Sequence, residues 1–199
     1  MTLVFVTTDD PQKNVGRVAQ RVVTGGHAVE PAAIVSRYHK AMALMPAAIE
    51  HADRAFVFDN SYAAPQLVAS KERGVLTVKT LPDMPRWVEE NLNQPYRARE
   101  KSMLAIAQVI DQIAQVKPAG SAAIETTPAD ASHRMTYTGK ILAVSSHHAL
   151  QQESTTKRLV VHDLSLLPPL HLQRGQDLSV AYAYDKGKII QSEVGREGR

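Results

Sequence analysis

The chain has 199 residues, of which 44% are hydrophobic and 22% are charged, so it can bury one good core, or one core and a small module. It contains no cysteine, which excludes disulfides and thiolate zinc sites and is compatible with a reducing cytoplasm. The formal net charge of +3 comes from residues 131–199, which carry 9 basic and 6 acidic residues. No apolar run approaches the length of a membrane span, and the N-terminus is too short and too acidic for a signal peptide. We therefore expect a cytoplasmic protein without membrane insertion.

Residues 1–95 alternate between strand and helix patterns. Thr2–Thr7 is rich in β-branched residues, and Asp10 and Pro11 suit the N-cap and first position of a helix, which Gly25-Gly26 then ends. The stretches "RAFVFDNS" and "GVLTVKTL" have the pattern of strands, and "MPRWVEENL" that of a short helix around Trp87, which we expect in the core. This alternation predicts an α/β domain with a parallel sheet covered by helices. Between the first two strands, a second helix after "EP" carries the apolar stripe Ile34, Tyr38, Met42, Met45 and Ile49.

The remainder of the chain divides into four segments. Residues 96–116 form a long amphipathic helix, which we interpret as a connector, and residues 117–133 have the small residues and prolines of a linker. Residues 134–192 contain five short strand patterns separated by turns, which indicate a small all-β module, and residues 193–199 are a tail. The linker composition predicts that the two modules can be separated by proteolysis.

The N-terminal segment resembles the C-terminal half of the zeta-toxin family of P-loop kinases. The resemblance rests on "RVAQRVVTGGHAVEPAAIVSRYHKAM" and "IEHADRAFVFDNS", and it covers roughly residues 3 to 92. It implies a truncated kinase-like α/β domain with one exposed sheet edge and one exposed apolar face. Either the helix at 99–116 or a second copy of the chain would then cover that edge.

The same resemblance implies that arginines in this region reach phosphate groups, and it points to Arg17, Arg21 and Arg37. Arg17 and Arg21 are four residues apart on one helix face, and spacing does not tell which of them faces the phosphate. The sequence contains no G-x-x-x-x-G-K-[ST] motif, so the loop and lysine that phosphoryl transfer requires are absent from these 199 residues. We therefore expect no enzyme activity, no catalytic residues and no cofactor, although residual nucleotide binding stays open.

Three polar residues, Asp59, Asn60 and Ser61, follow a predicted buried strand at the end where α/β proteins bind ligands. They form either part of a binding site or a simple cap of the strand. His27, which follows the two glycines, is either a ligand or proton carrier or a residue that packs the hinge and hydrogen-bonds the backbone, and we expect the second.

The C-terminal module is similar to the KfrB domain, a small module found on conjugative plasmids. The similarity rests on "TGKILAVSSHHALQQ", "LVVHDLSLLPPL" and "VAYAYDKGKI", about residues 136 to 191, and it implies a plasmid setting rather than a chemistry. The strand pattern independently favours an SH3-like or related barrel.

Two further sites are conceivable in this module. His147, His148, His162 and Asp163 have metal-ligand side chains, but adjacent histidines on a strand point to opposite faces, so we expect no metal site. Nucleic acid is a partner to test, because the module has several cations but few aromatic residues, namely Tyr137, Tyr182 and Tyr184. The cations in question are Lys157, Arg158, Arg174, Lys186 and Lys188.

Together these observations predict a non-enzymatic, plasmid-encoded accessory protein that acts by binding another protein, for instance one of the conjugation machinery, and so inhibits transfer. The alternatives are a nucleotide-binding regulator or residual zeta-toxin-like kinase, and a DNA-binding plasmid maintenance protein. Self-association is a further expectation.

Overall fold

The computed structural model describes residues 1–116, 123–169, 172–184 and 186–191. The chain divides into two compact units, Met1–Arg97 and Ala98–Arg199. The described residues contain two β-sheets and three α-helices, which confirms the mixed α/β class. None of the helices in these ranges has the length and apolar character needed to cross a membrane.

The first unit begins with a strand and two helices, and both ends of the first helix follow the usual capping rules. Asp10 caps α1, because its carboxylate accepts a hydrogen bond from the backbone N–H of Gln12 at 2.8 Å. Gly25 lies just beyond the helix with a φ of 94°, which glycine adopts without strain. The elements of this unit are β1 Thr2–Thr7, α1 Pro11–Val23, α2 Pro31–His51, β2 Arg54–Asp59, β3 Gln66–Glu72, β4 Val75–Val78 and a π-helical turn Val88–Asn93, which leads into α3, Gln94–Val116.

The first sheet has the strand order β1-β2-β3-β4 and is mixed. The β1–β2 pair is parallel, whereas the β2–β3 and β3–β4 pairs are antiparallel, so the predicted parallel sheet is wrong beyond its first pair. The reason is the length of the connections. Residues 60–65 join β2 to β3, and the two-residue turn Arg73-Gly74, with φ values of 51° and 81°, joins β3 to β4, whereas parallel strands need a crossover of about a dozen residues or more. Strand β3 has no counterpart among the predicted strands, because Ser70 and Lys71 interrupt its apolar run.

Helix α2 and the segment around Trp87 cover one face of the first sheet. Trp87 is buried, as the sequence predicts. Of the predicted stripe on α2, the three C-terminal residues Met42, Met45 and Ile49 are buried. The core consists of Met42, Met45, Ile49, Ala52, Ala55, Val57, Val68, Ala69, Trp87, Val88, Leu92 and Tyr96.

The opposite face of this sheet carries apolar side chains that are exposed or partly exposed. In the strand register Val4 lies beside Phe56, and Val6 lies beside Phe58, which in turn pairs with Leu67. Val4 is 60% exposed and Val6 is 53% exposed. These five side chains, here called the open face, lie outside the apolar cluster that forms the core of the described first unit.

A lysine from β3 completes the end of α2. The buried Nζ of Lys71 donates hydrogen bonds to the carbonyl oxygens of Ile49, Glu50 and Ala52 at 3.0, 2.8 and 2.9 Å. These carbonyls belong to the last turn of the helix and its cap, where a positive charge also meets the negative end of the helix dipole.

The second unit contains a six-stranded sheet with the order β10-β9-β6-β7-β8-β5. Its five predicted strands are all present. The sixth, β5, pairs in parallel with β8 and lies inside the segment 117–133 that composition indicates as a linker; residues 117–122 of that segment are outside the described residues. The strands are β5 Thr126–Pro128, β6 Met135–Val144, β7 His148–Glu153, β8 Leu159–Asp163, β9 Asp177–Ala183 and β10 Lys186–Gln191, with a 3-10 turn at Leu164–Leu166.

Within the second unit, the amphipathic face of α3 packs on this sheet. Ile106 is buried against Leu150 of β7 and against Leu159 of β8. At the start of this part of the helix, Arg99 forms a 2.7 Å ion pair with Asp163, and both side chains are only 4% exposed. The helix interpreted from sequence as a connector therefore contributes to the core of the second unit.

Candidate functional site

The carboxyl ends of β1 and β2 meet because the two strands are parallel. Thr7 lies opposite Asp59 in the register, and the backbone N–H of Asn60 donates to the carbonyl of Thr7 at 2.7 Å. The predicted cluster Asp59, Asn60 and Ser61 therefore lies at the carboxyl ends of β1 and β2, where the chain leaves each of the two strands in a different direction. In sheets with parallel strands, this carboxyl edge is a common place for ligands.

Asp59 is buried at this edge and is only partly satisfied. Its Oδ1 accepts a 2.5 Å hydrogen bond from the Ser61 hydroxyl, and that hydroxyl accepts from the backbone N–H of Asp9 at 2.7 Å. The other carboxylate oxygen, Oδ2, has no hydrogen-bond partner among the described residues. The cluster thus caps the strand, as one of the two sequence interpretations holds, and also keeps one buried acceptor unused.

The three predicted arginines surround one cleft of about 430 Å³ beside this edge. Arg17 and Arg21 extend from α1 and Arg37 from α2, and we call this space the arginine cleft. Its lining within the described residues includes Thr8 and Asn60 but no carboxylate side chain. Three cations around a cleft without a carboxylate make a region of positive potential that suits an anion.

Arg17 and Arg21 differ in what holds them. A terminal nitrogen of Arg17 donates to the carbonyl of Asn60 at 2.6 Å, so this arginine bridges α1 and the strand edge. Arg21 donates to the carbonyl of His27 at 3.3 Å, beyond the glycine turn. A side chain at Gly26 would lie 2.7 Å from the Arg21 Cγ, so glycine at this position leaves room for the arginine. Both arginines line the cleft, and the geometry does not single out one of them.

The floor of the cleft is held by Tyr38. Its hydroxyl donates to the carbonyl of Thr8 at 2.8 Å. Burial and the nearby negative charge of Asp9 raise the pKa of Tyr38, so the hydroxyl stays protonated and keeps this bond. The pKa of Asp9 itself is lowered: burial acts to raise it, but the hydrogen bonds from Lys13 and Ser61 outweigh that effect.

In the second unit, the histidines considered as metal ligands are engaged with other groups. His162 uses both ring nitrogens, at 2.9 Å from the Tyr182 hydroxyl and 2.9 Å from the Gln151 side-chain oxygen. His148 bonds the hydroxyl of Ser102 at 3.0 Å. Across the described ranges, no three histidine or acidic side chains are grouped as they would be around a metal ion.

The His162 network is buried and complete. The side-chain nitrogen of Gln151 donates hydrogen bonds to the carbonyl oxygens of Gly139 and Leu178, at 3.0 and 2.9 Å. Burial lowers the pKa of His162 to about 4, so the ring is neutral at pH 7. Sequence reasoning misses this network and the Arg99–Asp163 pair. The signal was the position of Gln151 and His162 among inward-facing apolar residues of their strands.

The comparisons with known proteins bear on the second unit. Residues 136–191 match the family described as KfrB Domain, which confirms the similarity predicted from the same strands. No curated protein matches the chain. The match covers β6 to β10 and supports a relation to plasmids, while the resemblance of residues 3 to 92 to the zeta-toxin family stays a prediction.

Proposed function

We propose that this protein is a plasmid-encoded accessory protein that binds a protein of a conjugative transfer apparatus and thereby inhibits transfer, without catalysing a reaction. The KfrB Domain match supports the plasmid setting. The observation that carries the proposal of protein binding is the open face of the first sheet.

The open face has the composition of a protein interface. It presents two phenylalanines and three aliphatic side chains side by side. A contiguous exposed apolar surface on a protein often marks an interaction site. Aromatic and aliphatic residues dominate the centres of interfaces, where charged residues are depleted. β1 is also the edge strand of this sheet, and "TLVFVT" carries no charge that would keep another strand from pairing with it.

A mating assay tests this function. Replacing Val4→Glu and Val6→Glu together places two charges on the open face at exposed positions, where they should not disturb the core. Because Val6 also lines the arginine cleft and Val4 does not, Val4→Glu alone separates the two surfaces and should also lose inhibition. We expect this double variant to lose inhibition of transfer while its melting temperature stays within a few degrees of wild type. The control is Val23→Glu on α1, an 81% exposed position away from the sheet. Inhibition by the double variant equal to that by wild type would exclude this surface.

A second candidate function is the binding of a phosphate-bearing ligand such as a nucleotide. The arginine cleft favours it, because three guanidinium groups lie around one space at the end of the parallel strand pair. A rise in melting temperature with ATP or UDP-N-acetylglucosamine that disappears in Arg37→Ala would support this function. No rise at millimolar nucleotide would contradict it.

We also propose a finer fold assignment for each unit. The parallel β1–β2 pair, with α1 and α2 between its strands and a cleft at its carboxyl edge, supports a truncated kinase-like origin of the first unit. The long strand β6, which pairs with β9 along its first half and with β7 along its second, supports an SH3-like or related arrangement of the second.

A further inference from the structure

Three neighbouring strands of the second unit, β10, β9 and β6, have one face in the core and one face in solvent. The register aligns Lys188 with Ala181 and Ala181 with Thr136, and it aligns Lys186 with Ala183. Since directly opposite residues share a face, these positions project together to the outside. Tyr137 and Tyr182, at alternate positions, are buried on the other face.

The outward side, here called the basic face, concentrates positive charge. Lys140, Lys186 and Lys188 are exposed on it, and Arg134 lies just before β6. Asp177, opposite Lys140 in the register, is the acidic residue of these strands within the described ranges. By contrast, Arg158 is engaged with Glu153 at 3.2 Å and lies elsewhere on the unit.

The centre of the basic face is low and polar. Ala181 and Ala183 have minimal side chains, and the hydroxyls of Thr138 and Ser179 lie 2.7 Å apart. Adjacent strands are roughly 4.8 Å apart, so a phosphate group can approach the hydroxyls while lysines reach it from the neighbouring strand. Backbone phosphates are commonly bound by lysine together with serine and threonine side chains.

One aromatic ring is available at the margin. Tyr184 is 72% exposed at the end of β9, and the guanidinium carbon of Arg134 is 5.9 Å from the centre of its ring. An exposed ring beside cations is the combination that stacks an unpaired base while the phosphates are neutralised. A base inside a duplex cannot reach such a ring without leaving its stack.

We propose that the basic face binds single-stranded nucleic acid, with Lys186, Lys188 and Lys140 contacting phosphates and Tyr184 stacking on a base. This activity is separate from protein binding by the open face, and its residues belong to the other unit. Of the cations that the sequence suggests for nucleic acid, Lys186 and Lys188 lie on this face, and the structure adds Lys140.

Fluorescence anisotropy with the full chain tests the proposal. The probes are a labelled 20-nucleotide DNA of mixed sequence, single-stranded or annealed to its complement, each at about 50 and 200 mM salt. We expect Lys186→Gln with Lys188→Gln to weaken single-strand binding on the order of tenfold and to lower the salt slope by about 1.4, since each neutralised phosphate contributes roughly 0.7. Lys186→Arg with Lys188→Arg keeps the charge and should keep the affinity.

Matched variants separate this surface from general charge. Lys157→Gln with Arg174→Gln removes the same charge from outside the basic face and should change the affinity less than about twofold. Tyr184→Ala should weaken single-strand binding by at least about fivefold and leave duplex binding unchanged. The proposal is overturned if the glutamine substitutions at Lys157 and Arg174 weaken binding as much as those at Lys186 and Lys188. It is likewise overturned if the single strand is not bound at low salt. It is also overturned if the duplex binds as tightly as the single strand, or if a polyglutamate of equal charge displaces the DNA as well as unlabelled DNA does.

Discussion

The two units differ in how completely their buried polar side chains are hydrogen-bonded, as far as the described residues show. In the second unit, both ring nitrogens of His162 are hydrogen-bonded, and the buried Arg99 is paired with Asp163. In the first unit, the buried Asp59 has one carboxylate oxygen without a hydrogen-bond partner among the described residues. Beside it, the arginine cleft opens to solvent.

This difference separates polar groups that hold a fold from polar groups that are available for binding. A buried polar group that has all its partners adds to stability, and removing one partner leaves the other unpaired at a large cost. Exposed cations around a cleft cost little to remove, but they give an anion its binding energy. Substitutions in the buried polar networks of the second unit should therefore act on stability, and substitutions in the cleft on binding.

The largest effect is expected at the buried ion pair. Arg99→Leu leaves the Asp163 carboxylate buried without its cation, which should lower the free energy of unfolding by about 3–5 kcal/mol. Urea denaturation measures it, with Arg86→Leu as control, because that arginine forms an exposed pair with Glu90. We expect the control to unfold at the same urea concentration as wild type. Equal effects of the two substitutions would show that the pair at Asp163 does not hold the fold.

The His162 network should give the next largest effect. His162→Leu leaves the Tyr182 hydroxyl and the Gln151 oxygen unpaired, and we expect a loss of about 1–3 kcal/mol in urea denaturation at pH 7. Gln151→Leu, which removes the other end of the network, should cost a similar amount. A His162→Leu variant as stable as wild type would contradict a structural role.

The same histidine predicts a pH dependence. Its pKa is about 4 in the folded protein and 6.5 in the unfolded chain, so between these values only the unfolded chain binds the proton. Stability should then fall as the pH falls from 6.5 to 4, by about 3 kcal/mol for a complete titration. Acidic residues titrate in the lower part of this range, so the quantity to measure is the difference between wild type and His162→Leu. That difference should shrink steadily as the pH falls, and a constant difference would exclude the shift.

A smaller effect on stability is expected in the arginine cleft. Charge reversal at Arg17, Arg21 and Arg37 together should change the free energy of unfolding by no more than about 1 kcal/mol, as exposed substitutions usually do. If the protein acts through its open face, inhibition in a mating assay should persist in this triple variant. Any nucleotide-dependent rise in melting temperature should be lost. Complete loss of inhibition by a folded triple variant would instead favour the nucleotide-binding function.

For phosphoryl transfer from ATP we expect no measurable activity at all. These 199 residues contain no phosphate-binding loop with its lysine, and arginines alone do not assemble a phosphoryl-transfer site. Incubation with labelled ATP, magnesium and UDP-N-acetylglucosamine should yield no phosphorylated sugar nucleotide above background. A product that forms with magnesium and vanishes in Arg37→Ala would contradict this prediction.

Local patterns in the sequence predict much of this fold. The N-cap at Asp10, the stop at the two glycines and the alternation of the five C-terminal strands are properties of a few consecutive residues, and the structure has all of them. The strand pairing was harder. β3 carries Lys71 inward, where the carbonyls at the end of α2 bind it, and no local pattern reveals such a distant partner.

The candidate site shows the same division. Helical spacing groups Arg17 with Arg21, and the end of a buried strand marks Asp59, but the meeting of both with Arg37 depends on how α1 and α2 pack. The sequence predicts only two of the three lysines of the basic face. Lys140 is distant in sequence from Lys186 and Lys188 and shares their face only through the pairing of β6, β9 and β10. Turn geometry and the hydrophobic pattern fix the register of a hairpin, but the pairing of β6 with the distant β9 is not a property of either strand's local sequence.

The bonds from Lys71 to the end of α2 have a consequence for the order in which the first unit loses structure. Helix ends normally fray, so their amide hydrogens exchange with solvent faster than those in the middle. Here three hydrogen bonds from Lys71, near the end of β3, hold the last turn of α2. The amides of this turn and of β3 should therefore exchange deuterium together, at the slow rate of a single cooperative unit. Acetylation of Lys71 would remove the charge that holds the turn and uncouple the two.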